Sequence, residues 1–88
     1  MKLIITILRD EDCESVSTAL VTAGYRVTRI ASTGGFLRRG STTLMVGVED
    51  DQVDSAIQVV RENVSPVIEA GQRRATLFVL KVDRFLQV

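Results

Sequence analysis

An apolar, strand-like run leading into a cluster of three carboxylates occurs twice in this chain, and that repetition constrains the fold most. Lys2–Leu8 is dense in Ile and Leu, and Asp10-Glu11-Asp12 follows it after Arg9; Thr42–Val48 is followed by Glu49-Asp50-Asp51. Each run is too short for a helix of its own and alternates as a strand does. Carboxylates at a helix start accept unpaired backbone N–H groups and sit at the positive end of the helix dipole, so each cluster predicts a helix opening. The first helix carries Val16, Ala19, Leu20 and Ala23 at spacings of three and four, with Gly24 as its closing residue. The second carries Val53, Ile57, Val60 and Val64, and Pro66 ends it.

Two more strands complete the pattern. Tyr25–Ala31 alternates, with Arg26, Thr28 and Ile30 on one face and Tyr25, Val27 and Arg29 on the other. Ala75–Val82 (ATLFVLKV) is apolar on both faces, as is Lys2–Leu8, where Leu3, Ile5 and Ile7 oppose Ile4 and Leu8. These two strands are expected side by side, the first in a central position. In Thr42–Val48 the residues Leu44, Val46 and Val48 face away from Thr43, Met45 and Gly47; a glycine inside a strand predicts a bulge or a close approach. Val67-Ile68 reads as a brief strand and Gly71–Arg74 as a charged turn. Phe85 and Leu86 in the tail predict that Asp83–Val88 packs on something.

The order β-α-β, loop, β-α-β is that of an α+β ferredoxin-like βαββαβ sandwich, one four-stranded antiparallel sheet with both helices on one face. At 88 residues it reads as a single domain, 1–88. The other sheet face is left uncovered, yet the first and last strands carry apolar side chains toward it. An oligomer that buries the open faces against each other follows.

Composition narrows the function. Eleven basic and eleven acidic residues cancel, so nucleic acid or membrane binding has no overall electrostatic basis, and any anion site is local. One cysteine, Cys13, and no histidine remove disulfide frameworks, Cys/His zinc sites and Ser–His or Cys–His dyads; the reading is a non-catalytic protein. Helix starts account for the acidic clusters better than a divalent metal does. A single thiol and the absence of a signal peptide or membrane-length run give a soluble, cytoplasmic expectation.

Between the second and third strands lies Ser32–Ser41, with Gly34, Gly35, Phe36, Leu37, Arg38 and Arg39. Adjacent glycines free backbone N–H groups to face an anion, an aromatic covers a flat ring, and arginines bind phosphate. The same residues also suit a plain hairpin turn, and on the loop alone the turn reading carries more weight. The wider pattern tips that balance. MKLIITILRDED, YRVTRIASTGGFLRRGSTTLMVGVEDDQVD and ATLFVLKVDRFLQV, and above all Thr33–Thr43, resemble the PII-like cyclic di-AMP receptor family. The resemblance implies a homotrimer with the open faces inside, cyclic di-AMP in clefts between subunits as ligand rather than cofactor, no metal, and a protein target it does not name. The matching ligand positions are Arg26, Val27, Thr28, Gly35, Phe36, Leu37, Gly47 and Gln87, with Ser41 where the family usually has Asn. Gly24 likewise stands where Asn is frequent, and the segment around Val64–Arg74 is far shorter than the family's loop. Two lost amide contacts, at about 1 kcal/mol each, weaken binding by about tenfold to a hundredfold. The departures keep two alternatives open: a trimeric sensor of ATP or ADP, and a trimeric interaction module with no ligand.

Overall fold

The computed structural model describes residues 1–30, 40–66 and 74–88. The elements come in the expected order: β1 (Lys2–Arg9), α1 (Asp10–Thr22), β2 (Arg26–Ile30), β3 (Ser41–Val48), a 3-10 turn (Asp50–Gln52), α2 (Val53–Asn63) and β4 (Ala75–Lys81). They form one antiparallel sheet in the order β2-β3-β1-β4, the ferredoxin-like βαββαβ arrangement. β1, apolar on both faces, is central between β3 and β4; β4 lies beside it as expected, at the sheet edge. The expected brief strand at Val67-Ile68, most of the turn at Gly71–Arg74 and residues 31–39 of the glycine loop lie outside the described residues.

One face of the sheet builds the core. Ile4 and Leu8 of β1 and Leu44, Val46 and Val48 of β3 pack with Val16 and Leu20 of α1 and Ala56 and Val60 of α2, every one of them buried. Cys13 is buried in the same cluster, where it serves as a small apolar side chain. Val27 and Tyr25 from the β2 side, and Ala75 and Leu77 from β4, pack around its rim. The helices form because their apolar residues recur along one stripe, and burying that stripe on the sheet stabilises them more than intrinsic propensity does.

The helix starts differ from expectation in one respect. No side chain caps α1; Arg9 is its N-cap residue in extended conformation. Asp10 and Asp12 instead accept bonds from distant parts of the chain, Thr42 and Ser65. A carboxylate prefers donors that also close the tertiary structure when they are within reach, because the N–H groups of an exposed helix start can turn to water. At the other end of α1, Gly24 has φ +97°, which explains why a residue tolerant of positive φ stands there.

The tail also differs. The amide of Val82 donates to the carbonyl of Met1 at 3.2 Å, and beyond it Phe85 and Leu86 stay exposed, 58% and 68%. Among the described residues nothing covers them.

Candidate functional site

Alternation along the strands decides which candidate residues share a surface. Residues opposite one another in a sheet point to the same face, and successive residues to opposite faces. Gly47 lies opposite Arg26 on one side and Leu3 on the other; Met45 lies between Thr28 and Ile5. Arg26, Thr28, Ser41 and Gly47 therefore all belong to the face away from the helices. Val27, opposite Val46, belongs to the other face and packs on the core, so only its backbone is available at the strand edge.

Arg26 and Thr28 are exposed on the edge strand. Arg26 enters no ion pair among the described residues. Its neighbour on β2, Arg29, behaves differently. It turns to the helix face and donates to Glu14 Oε2 at 2.8 Å, and that hydrogen bond raises its pKa above the usual arginine value. Arg26 is thus the β2 guanidinium available on the open face for an anion.

Gly47 causes no bulge. The register runs unbroken through it on both sides, so the alternative stands: close approach. A Cβ added there would lie 3.4 Å from Cε of Met1, whose side chain occupies the space a larger residue would fill.

The remaining candidates divide between the two ends of the sheet. Ser41 begins β3, opposite Arg9, six residues and about 20 Å of strand from Gly47. Lys81, the last residue of β4, pairs with Lys2, so the tail carrying Gln87 leaves β4 at the Gly47 end. Gln87 itself is exposed. Gly35, Phe36 and Leu37 lie outside the described residues, in the connection that joins β3 at Ser41. One chain thus presents Arg26, Gly47 and the root of the tail at one end, and Ser41 at the other.

The floor joining those ends is apolar. Leu3, Ile5, Ile7 and Met45 are half-buried along its middle, while Phe78, Leu80 and Ile30 are 51%, 45% and 39% exposed. Contiguous apolar surface of this kind marks a binding or assembly face. Among the described residues no group of three or more Cys, Asp or Glu is placed to hold a metal ion, and no helix is long and apolar enough to cross a membrane.

A polar cluster that sequence reasoning missed lies at the Ser41 end. Asp12 is buried, 2% exposed. Its Oδ1 accepts from the amide and hydroxyl of Ser65 at 3.1 and 2.5 Å, and its Oδ2 lies 3.2 Å from Arg9 Nη2. The only sequence signal was a carboxylate at a helix start, which pointed to a local role.

The family model for the cyclic-di-AMP receptor matches residues 1–67, which include β1 through α2 and the whole glycine-rich connection. The chain belongs to that family. Gln87 and β4 lie beyond the matched residues. A solved structure, a protein of unknown function from Pediococcus pentosaceus, is similar over 99% of this chain and 96% of its own, with 29% identity and a TM-score of 0.77. A solved structure of nearly the same extent thus shares the fold.

Proposed function

We propose that this protein is a non-catalytic, cytoplasmic signalling receptor, one domain over residues 1–88, that binds cyclic di-AMP in the clefts between the subunits of a homotrimer. The observation that carries the reading is the family match together with the open face. A surface bearing Leu3, Ile5, Ile7, Met45, Phe78 and Leu80 favours assembly against copies of itself, since burial yields about 25 cal/mol per Å² of apolar area.

Assembly also supplies what one chain lacks. The Arg26–Gly47–Gln87 end and the Gly35–Ser41 end of neighbouring subunits would meet at each cleft, so that each ligand draws on two chains. In that arrangement Arg26 binds phosphate, the Gly35 N–H approaches an oxygen unobstructed, Phe36 and Leu37 cover adenine, and Thr28, Ser41 and Gln87 bond ring edges or phosphate. Val27 contributes through its backbone, because its side chain belongs to the core.

The second reading, an adenine mononucleotide sensor, is favoured by Ser41 and by the short segment around Val64–Arg74. The other departure, Gly24, is weaker support. At φ +97° glycine and asparagine are the residues the backbone accepts, so that exchange is explained by conformation. A nucleotide panel read by thermal shift decides between the two. Cyclic di-AMP is expected to stabilise most; a larger shift with ATP or ADP transfers the assignment to the mononucleotide. No shift with any of the three leaves the interaction module.

A further inference from the structure

Two connections of the chain are tied to one short stretch, Arg9–Asp12, where β1 becomes α1. On one side the amide of Asp10 donates to the carbonyl of Gly40 at 2.8 Å, and the hydroxyl of Thr42 donates to Asp10 Oδ1. Those contacts hold the start of β3, where the glycine-rich connection ends. On the other side Arg9 Nη2 donates to the carbonyl of Ser65 at 2.6 Å, and Ser65 donates from its amide and hydroxyl to Asp12 Oδ1. Those contacts hold the chain just after α2, where it leaves for β4. The partners of the stretch stand 32, 53 and 56 residues away in sequence, yet all of them act on a single helical turn.

This turn is built unlike a plain structural clasp. Asp12 is almost wholly buried and Arg9 is 18% exposed at its side chain, so their contact is shielded from water. Even so, Asp12 Oδ2 and Arg9 Nε have no hydrogen-bond partner among the described residues; the 3.2 Å approach of Nη2 to Oδ2 is out of hydrogen-bond alignment. Glu11 lies 3.7 Å from Arg9 Nε on the exposed side. A buried polar group with unused capacity is costly where it stands and gains when a small shift completes its bonds.

We propose that residues 9–12 are positioning residues that couple the two connections, so that a ligand held at the Ser41 end of the site tightens the chain at Ser65. Only the ligand arm of this proposal rests on the receptor reading. The coupling itself is a property of the free protein. Arg9, Asp10 and Asp12 touch no ligand in it; they act through Thr42 and Ser65, and Thr42 and Ser65 influence each other without contact.

The test is amide hydrogen exchange by NMR on the full chain, comparing wild type with Thr42→Val and Thr42→Ser. Removing the hydroxyl is expected to speed exchange at Asp10 and, across the turn, at Ser65 by fivefold or more, with Val60 in α2 unchanged. Thr42→Ser, which keeps the hydroxyl, should restore wild-type exchange at both. Ser65 staying within twofold of wild type in Thr42→Val overturns the coupling. Acceleration that extends to Val60 overturns it as well, since that is general destabilisation. Cyclic di-AMP added to wild type should slow exchange at Ser65, and that effect should be lost in Thr42→Val. If cyclic di-AMP slows no amide, including those of Arg26–Thr28, the receptor reading fails while the ligand-free comparison still decides the coupling.

Discussion

The two faces of β1 are made of the same kinds of residue and meet different fates. Ile4, Thr6 and Leu8, on the helix side, are exposed by 2% or less. Leu3, Ile5 and Ile7, on the other side, remain half-buried, and their partners on β4, Leu80 and Phe78, are 45% and 51% exposed. The difference teaches that one chain completes one core and begins a second. The helix side is satisfied by α1 and α2; the open side keeps apolar area exposed at Phe78 and Leu80. A fold stabilised on one side only has a reason to assemble, and the open face is also the one that carries Arg26, Thr28, Ser41 and Gly47.

The largest expected effect is on the completed side. Leu44→Ala, at a position with 0% exposure, should destabilise the fold by about 2–5 kcal/mol in chemical denaturation, from lost burial plus the cavity left. The next effect sharpens the contrast. Phe78→Asp on the open face should leave helical circular dichroism intact and drive the protein to monomer in light scattering. An assembly unchanged by Phe78→Asp would mean the open face is not where subunits meet.

A smaller effect belongs to the site. Ser41→Asn restores an amide at the start of β3 and should tighten cyclic di-AMP binding by about tenfold, the equivalent of about one hydrogen bond, read by titration calorimetry. The least effect lies on neither face. Asp50 is held below the usual carboxylate range by its hydrogen bond to the N-terminal ammonium, 2.9 Å away, and by that charge. Its folded pKa is lower than its unfolded one, so the contribution is present above the carboxylate range and lost as pH falls through the folded value. Asp50→Asn should differ slightly from wild type near neutral pH and match it in strong acid; the exposed, solvent-screened position keeps the difference small.

The order of elements and the alternation of β1, β2 and β3 were legible in the sequence, because period 2 and period 3.6 are written directly in the positions of Leu, Ile and Val; β4, apolar on both faces, gave no facing until its register was seen. Leu44 fell on the buried side with Val46 and Val48, as their shared apolar face required, whereas for β1, apolar on both faces, only the structure shows that Ile4 and Leu8 point inward. The same alternation placed Val27 opposite to Arg26 and Thr28, and the structure keeps its side chain in the core, apart from the candidate ligand groups. What the sequence could not display was pairing at a distance. Asp12 reads as a helix-opening carboxylate until Ser65, 53 residues on, is seen beside it. Phe85 and Leu86 predict burial, yet among the described residues nothing covers them. Patterning reports which side chains leave water; it does not report which chain receives them.

Titration calorimetry with cyclic di-AMP, on protein whose mass is followed by light scattering, tests the central claim most directly. The account predicts binding to a trimer with one ligand per chain, weakened by Phe36→Ala and unaffected by Cys13→Ala. No heat at high micromolar ligand would contradict it.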